Sequence, residues 1–426
     1  MISLEDNFNQ VSLHNPSKEI LSIYQGIEEI QEYDPRGYKM VRPLFSHSDF
    51  PRFLGVDKVK YNEFNWDKKF IYPVVLHHNN ELAAKYISLL PVKIIEKIRS
   101  KQCKLILDNT MEGDRVSSFY TELYSSIDRL KLPASQIYYV TNSLVAELEH
   151  EKWKTVNKRA SNNINVISFM YNVMDVQRLK KLGHLPDKVN IEEEIQYKRD
   201  NFINIKEFLK VNRTGRPERN LLMFYINKNK LYDKFNLSFP DLPDYNYPNI
   251  NFGDLLSAEN IKQVKDKCPF DIDSTDSTNH GEPGFGEGKF NADLPFQPLH
   301  YRNSLISVVM CAFPFVENAC HLHSSTFNPI YCGHPVIQFG PYKHLEILKS
   351  NGFKTFDKWW DEDYDNLTEG WDRFKGVLRN IDELNKKSKK ELFDMYVDMK
   401  DVLQHNSDLI QNYNGKNLLR KRILDE

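Results

Sequence analysis

A turn with three arginines is the part of the sequence that most directly suggests chemistry. In the stretch FLKVNRTGRPERNLLMFYI (208–226), these arginines lie around a Gly-x-Pro, between an apolar run typical of a strand and a helix expected to start near Leu221. Guanidinium groups donate bidentate, charge-assisted hydrogen bonds to phosphate, and α/β sheets bind ligands beyond the carboxyl ends of their strands. We therefore predict a phosphate-binding turn; the alternative is a solvated loop whose arginines pair with neighbouring acids. The predicted binding residues are Asn212, Arg213, Gly215, Arg216 and Arg219.

A second polar stretch, FPFVENACHLHSSTFNPIYCGHPVIQFG (313–340), is expected at the same edge of the sheet. Glu317 could accept hydrogen bonds from a ribose diol, and the hydroxyl groups after it could cap a helix and meet a phosphate. The two histidines lack an acidic or thiolate partner at a suitable spacing, so we expect no metal site. We expect these histidines either to contact the sugar or phosphate of a ligand or to have a structural role. The predicted donor-binding residues here are Glu317, His321, His323, Ser324, Ser325 and Thr326.

Two loops in the first half of the chain offer a general base. DNTMEGD (108–114) and HHNN (77–80) each follow an expected strand. A carboxylate or an imidazole placed there could take a proton from a hydroxyl group. Alternatively, the acids of the first loop stabilise the start of a helix. Asp108 and His77 are available, but the residues predicted to be catalytic are Glu112, Asp114 and His78.

The elements that must position these residues alternate between strands and helices. In the first half we predict strands at 70–76, 103–109, 136–142 and 164–173, and helices at 81–100, 116–131 and 143–153, the last capped by Ser143. In the second half we predict elements at 304–312, 327–332, 334–340, 344–352 and 353–356. Such alternation indicates parallel sheets covered on both faces, so the expected fold class is α/β.

The length of 426 residues predicts more than one domain. We expect an N-terminal extension or cap (1–65), two Rossmann-like domains (66–200 and 201–370) and C-terminal helices (371–426). Residues 175–205 resemble a charged linker. The acidic, glycine-bearing stretch 271–295 is expected to form a mobile lid, because long loops inside domains are usually functional or disordered.

Composition limits the partners and the compartment. With 57 basic and 59 acidic residues, any contact with a polyanion must come from a local cluster. One such cluster, next to an aromatic ring, consists of Lys152, Trp153, Lys154, Lys158 and Arg159; it is also what an ordinary exposed helix end looks like. The five cysteines show no CxxC spacing and are expected to be reduced core residues. We find no signal peptide and no membrane span, and we expect a cytoplasmic protein, in a host cell if it is viral.

Several stretches together resemble a family of GT-B glycosyltransferase-like proteins found in bacteriophages and in surface-polysaccharide gene clusters. They are the arginine stretch, residues 316–356, WWDEDYDNL (359–367), KLILDNTMEGD (104–114) and LPASQIYYVTNS (132–143). The likeness covers roughly residues 70–380, and the donor side is distantly similar to fucosyltransferases. It implies two Rossmann-like domains facing a cleft, a nucleotide-diphosphate sugar bound mainly by the C-terminal domain, and no required cofactor or metal.

This chain departs from the family at one motif. Where relatives have a sequence like Thr-Glu-Lys-Thr-Phe-Lys-Pro-Ile, it has HSSTFNPI (323–330), so the acid falls on Ser324 and the two lysines fall on Ser325 and Asn328. Either Glu317 and the arginine turn replace them, or the donor differs, or donor binding is lost.

The leading hypothesis is therefore transfer of a sugar from a nucleotide-diphosphate sugar to an acceptor hydroxyl. The acceptor is a hydroxymethylated pyrimidine in phage DNA or a surface glycan, and salt-dependent binding of duplex DNA would separate these two. The alternative is a degenerate glycosyltransferase-like binding protein without turnover. The sequence leaves open the sugar, the nucleotide, the stereochemistry and the oligomeric state.

Overall fold

The structure is a computed structural model. It describes residues 10–14, 20–24, 56–60, 67, 69–76, 83–88, 90, 92–110, 119–181, 185–211, 216–239, 252–270, 298–311, 314–315 and 320–424. The chain divides into two compact units. The first comprises Met1–Tyr171, Val316–His321 and Asn414–Glu426; the second comprises Asn172–Phe315 and Leu322–Tyr413.

The first unit is built on a seven-stranded sheet with the order β3-β1-β2-β4-β5-β6-β7. Its strands are β1 (Gln10–His14), β2 (Ile20–Tyr24), β3 (Val56–Lys60), β4 (Phe70–Val75), β5 (Cys103–Asn109), β6 (Ile137–Thr141) and β7 (Asn165–Ser168). β2 and β4 to β7 are mutually parallel, whereas β1 runs antiparallel to both β2 and β3. All residues of β6 are buried, as expected for a parallel strand covered on both faces.

The second unit is built on a four-stranded parallel sheet with the order β11-β10-β8-β9. Its strands are β8 (Lys206–Val211), β9 (Phe235–Ser238), β10 (Ser304–Met310) and β11 (Val336–Phe339). Ser307 pairs with Leu209 on one side and with Val336 on the other. Because the strands are parallel, the carboxyl ends of β8, β10 and β11 lie side by side at one edge.

Helices follow most strands. In chain order the described helices are α1 (Ala83–Ser88), α2 (Val92–Arg99), α3 (Phe119–Arg129), α4 (Ala146–Val156), α5 (Tyr171–Lys181), α6 (Ile191–Asp200), α7 (Pro217–Lys228), α8 (Ala258–Lys267), α9 (Pro298–Arg302), α10 (Ser324–Tyr331), α11 (His344–Ser350), α12 (Gly370–Asn385), α13 (Lys389–Asp398), α14 (Lys400–Asn412) and α15 (Gly415–Ile423). The first unit holds α1 to α4 and α15, and its core packs Ile98, Leu105, Leu123 and Tyr139 together. The second unit holds α6 to α14, and α5 begins at the boundary.

These sheets and helices confirm the α/β fold class expected from the sequence. The five cysteines are free, and all except Cys268 are buried. Residues 1–65, expected to form a cap or extension, contribute β1, β2 and β3 to the first sheet. The division between the units falls at 171/172 rather than near residue 200. The expected C-terminal helices are divided between the units, with α12 to α14 in the second and α15 in the first.

Several local expectations were wrong. The strand expected at 164–173 ends at Ser168, and α5 begins three residues later at Tyr171. The expected linker at 175–205 contains the C-terminal part of α5 and the whole of α6, and α6 buries Ile191, Ile195 and Lys198. Residues 353–356 form neither helix nor strand.

The expected cap of α4 was also wrong. Val145 holds the N-cap position and makes no side-chain cap, while the Ser143 hydroxyl accepts a 3.4 Å hydrogen bond from the backbone N–H of Cys320. The whole of the expected lid, 271–295, lies outside the described residues, so the lid stays a prediction.

Candidate anion site at the edge of the second sheet

The arginine turn leads from β8 into α7. Arg216 is the N-cap residue of α7 and has an extended backbone, and Pro217 follows at the first helical position, where its missing N–H is no loss. The helix therefore begins at Pro217, before the expected start near Leu221, because the proline favours initiation in a polar first turn. Arg219 lies in that first turn. Asn212, Arg213 and Gly215 lie outside the described residues.

Two oppositely charged residues are buried next to this turn. Lys210, the penultimate residue of β8, is 1% exposed, and Glu218, in the first turn of α7, is 3% exposed. Burial lowers the pKa of Lys210 well below its usual value, and the charge of Arg219 lowers it further. Burial raises the pKa of Glu218 against the opposing effect of the nearby cations. Arg219 Nε lies 4.0 Å from Glu218 Oε1, so the acid and the arginine form only a loose ion pair.

A buried polar contact joins the ends of β10 and β11 to α10. The Gln338 amide of β11 donates to Cys311 Sγ at 2.8 Å and to Thr326 Oγ1 at 3.0 Å. Burial raises the pKa of the Cys311 thiol, while Thr326, Gln338, Lys210 and Arg219 each lower it. Thr326 and Arg219, two predicted donor-binding residues, thus act on the same buried thiol at the carboxyl edge of the sheet.

The N-terminus of α10 contributes further polar groups. His323 is its N-cap: Nδ1 accepts a 3.4 Å hydrogen bond from the backbone N–H of Ser325 and lies 3.0 Å from Ser324 Oγ. There is no acidic residue in the first turn of this helix. Ser324 and Thr326 are buried, and Ser325 is half-buried. Glu317, predicted to bind a ribose, lies outside the described residues.

His321 belongs to the other unit. It forms an antiparallel bridge with Ser143, and its Nδ1 lies 3.2 Å from Asn142 Nδ2, just after β6 of the first sheet. The boundary between the units therefore separates His321 from His323, although only Leu322 stands between them in the sequence. Their i, i+2 spacing gave no indication of this.

The predicted catalytic residues Glu112, Asp114 and His78 all lie outside the described residues. The neighbouring Asp108 is described: it is 2% exposed, and its Oδ1 accepts hydrogen bonds from the Thr110 N–H at 3.0 Å and from Thr110 Oγ1 at 2.7 Å. Asp108 thus stabilises the turn that follows β5. A catalytic role for the loop after it stays a prediction.

The side chains of the basic cluster on α4 make local contacts. Lys152 pairs with Glu149 at 2.7 Å and Lys154 with Glu151 at 2.6 Å. Arg159 pairs with both carboxylate oxygens of Asp128 at 2.9 Å and lies over the ring of Tyr124 at 3.9 Å.

Trp153 of the same cluster stacks on Tyr124 at 4.8 Å and donates to Thr121 Oγ1 at 3.0 Å. Lys158, in the turn that ends α4, is exposed. Contacts of this kind are typical of an ordinary helix end. This was the alternative to a nucleic-acid contact that the sequence left open.

Within the described parts of the chain, no group of three or more His, Cys, Asp or Glu side chains is arranged to hold a metal ion. Within the same residues, no helix is long and apolar enough to cross a membrane.

The fold and the site define an α/β protein with cationic and hydroxyl side chains at the carboxyl edge of its second parallel sheet. No family model and no curated protein matches the sequence. Among solved structures, the chain is similar to the N-terminal domain of trehalose-6-phosphate phosphatase from Candida albicans, with a TM-score of 0.41 and 9% sequence identity. The match covers 85% of this chain and 71% of that chain. A similarity this weak supports no conclusion about the fold or the function of this chain.

Proposed function

We propose that the second unit binds the diphosphate of a nucleotide-diphosphate sugar and that the protein transfers the sugar to an acceptor hydroxyl. The observation that carries this proposal is the position of Arg216 and Arg219, at the N-cap and in the first turn of α7, directly beyond β8. Arg216 is half-buried, and the side chain of Arg219 is 13% exposed. A helix N-terminus adds backbone N–H groups and a partial positive charge, which together favour phosphate.

Sugar transfer needs this arrangement because the departing nucleotide diphosphate develops negative charge in the transition state. Fixed cations at the site of that charge lower the barrier without further reorganisation. The half-buried Ser325 at the start of α10 supplies a neutral hydroxyl donor for the remaining oxygens, whereas the hydroxyl of Thr326 is buried against Gln338. In this proposal the enzyme has GT-B architecture, and the base is Glu112, Asp114 or His78. The acceptor is a DNA base or a glycan.

The proposal is tested by a thermal-shift screen against UDP-, GDP- and CMP-sugars. A ligand that binds only the folded state raises the melting temperature by mass action. We expect at least one donor to stabilise the parent protein, and we expect the Arg216→Ala, Arg219→Ala double variant to lose that stabilisation. Losing two charge-assisted contacts of about 1.5–3 kcal/mol each would weaken binding by about a hundredfold or more.

A double variant at the other end of α7, Lys228→Ala, Lys230→Ala, serves as the matched control, because both residues are exposed. It removes the same charge from the last residue of α7 and the turn that follows it, and it should keep the full shift. Equal shifts in the parent and in the arginine variant would remove the arginines from the site.

A degenerate binding protein without turnover is the second candidate, and the start of α10 favours it. Where the resembling family has an acid and a lysine, Ser324 and Ser325 here make hydrogen bonds to the capping His323. Binding of a nucleotide-sugar with neither hydrolysis nor transfer, across a broad acceptor panel, would support this candidate over the enzyme.

A further inference from the structure

Three aromatic side chains reach the surface together in the second unit. Phe315, which follows β10, and Trp371, in the first turn of α12, have ring centroids 4.3 Å apart. Phe252 meets Trp371 edge to face at 5.6 Å. Phe315 is 39% exposed, and the other two side chains are half-buried. Single exposed apolar residues need no explanation, but adjoining ones mark a binding surface. We call these three rings the aromatic platform.

Buried residues hold the platform in place. Phe315 lies directly on the backbone of Gly370, where an added Cβ would come 2.3 Å from Phe315 Cδ1. Its ring meets the buried ring of Phe339, the last residue of β11, at 5.6 Å. The buried Phe374 ring lies 6.0 Å from that of Trp371. The exposed rings therefore have fixed positions before a ligand arrives, which lowers the entropic cost of binding.

Arg373 fixes the platform at the carboxyl edge of the second sheet. Its side chain is buried, and it donates to the carbonyl oxygens of Pro314 after β10 at 2.7 Å and Gly340 after β11 at 3.3 Å. It also donates to those of Leu367 and Thr368, just before α12, at 2.6 and 2.7 Å. β10 lies between β11 and β8. Because neighbouring strands are about 5 Å apart, the ends of β8 and β11 are separated by about 10 Å. One nucleoside diphosphate spans such a distance.

The charges near the platform suit a neutral ring better than a phosphate. Lys375, one turn along α12 from Trp371, pairs with Asp372 at 2.9 Å, and Lys343, after β11, pairs with Glu346 at 2.8 Å. The guanidinium of Arg373 is occupied by backbone oxygens. The platform consists of described residues only; the segments next to it that lie outside them are 240–251, 312–313 and 316–319.

We propose that the aromatic platform binds the base of the nucleotide by stacking, while the start of α7 holds the diphosphate. The inference rests on the proposed function, because it assigns the neutral, aromatic part of the same nucleotide-diphosphate sugar. Every nucleobase has a π-face, so stacking adds affinity without selecting one base. No covalent bond is made or broken.

The first test follows the tryptophan fluorescence of the full chain during titration with UDP, GDP and inorganic pyrophosphate. A base stacked on Trp371 quenches its emission, so UDP or GDP should lower the signal, whereas pyrophosphate should not. Trp371→Leu should abolish the quenching. Trp359→Leu is the matched control, because Trp359 is a half-buried tryptophan of the same unit. That variant should keep the quenching.

Calorimetric titration provides the second test. Phe315→Leu keeps an apolar side chain above Gly370 but removes the ring. Combined with Trp371→Leu, it should weaken the binding of UDP or GDP about tenfold to a hundredfold, because stacking is lost. The affinity for pyrophosphate should equal that of the parent. Thermal denaturation of both variants shows that they are folded.

Three results would overturn the inference: unchanged affinity for UDP and GDP in the double variant, quenching that survives Trp371→Leu, or no binding of either nucleotide by the parent. Binding of a neutral oligosaccharide such as maltose that is lost in the double variant, without nucleotide binding, would assign the platform to a sugar ring instead.

The proposed function is tested separately. If a nucleotide-sugar stabilises the parent through the arginines of α7 and the platform variants bind it equally well, only the role of the platform falls. If UDP or GDP binds through the platform but no sugar is transferred from any nucleotide-sugar, the platform stands and the glycosyltransferase proposal falls.

Discussion

Two buried lysines of the second unit show how differently the chain treats the same residue type. Lys198 donates to the carbonyl oxygens of Tyr301, Arg302 and Ser304 at 2.6, 3.0 and 2.7 Å. Burial lowers its pKa to about 7, and the carboxylate of Glu194 acts in the opposite direction. Lys198 therefore has a complete set of acceptors and a structural role. Lys210, which is also 1% exposed, forms no hydrogen bond or ion pair with the residues that the structure describes.

His150 gives the first unit a dependence on pH. Its ring is 3% exposed, and Nε2 lies 2.8 Å from the Tyr124 hydroxyl. Burial lowers its pKa from 6.5 to about 4. Between these values the unfolded chain binds a proton that the folded chain does not, so stability falls as the pH drops from 6.5 to 4. We expect a loss of about 3 kcal/mol from this group.

Chemical denaturation of the parent and of His150→Gln across pH 4–7 measures this effect. The glutamine variant should be less stable at pH 7 and should show a shallower decline in acid. His405→Gln is the control, because His405 is not buried. If His150→Gln declines as steeply as the parent, His150 is not the titrating group.

At the level of residues, the sequence identified the charged side chains of the candidate site but did not indicate which charged side chains are buried. Arg216 and Arg219 stand out because three arginines fall within seven positions. Lys210 is a single lysine inside an apolar run, and only the burial of that strand in the sheet distinguishes it from an exposed one. His321 and His323 look equivalent in the sequence, yet they belong to different units.

Among the elements, α6 depends on Lys198 for its connection to α9 and β10. Lys198→Met would keep the aliphatic stem but leave three buried carbonyl oxygens without their donor. We expect a loss of about 2–4 kcal/mol in the free energy of unfolding. Denaturant titration measures it, with Lys389→Met as the control. Lys389 donates to the carbonyl oxygen of Ile203, which is exposed, so that variant should lose less than about 1 kcal/mol. Equal losses in the two variants would contradict the structural role of Lys198.

The sequence predicted elements best where their apolar runs are long and clearly bounded. β5 was predicted at its observed bounds, and β4 and β6 to within a residue at each end. β9 was missed, because FNLS is a short run with two polar residues. The start of α7 was placed too late, because its first turn, PERN, carries no apolar side chain. Hydrophobic periodicity contains no signal for such a turn, whereas the proline at the first position does.

On the scale of the whole molecule, the chain returns to the first unit at its C-terminus. In α15, Arg422 pairs with Glu147 at 2.6 Å and donates to the Val166 carbonyl oxygen at 3.0 Å. Leu419 and Ile423 of the same helix are fully buried. The expectation of a separate C-terminal helical segment missed this, because a sequence pattern shows that a helix has an apolar face but not which sheet that face covers.

The adjacent leucines of α15 provide a matched test of this arrangement. Leu419 is 0% exposed and Leu418 is 38% exposed. Leu419→Ala should cost about 2–4 kcal/mol, because it removes buried methyl groups and leaves a cavity; Leu418→Ala should cost less than about 1 kcal/mol. Amide hydrogen exchange locates the loss. If α15 belongs to the core of the first unit, Leu419→Ala will speed exchange in β5 to β7 and leave β8 to β11 unchanged. Faster exchange in the second sheet alone would assign the helix to the other unit.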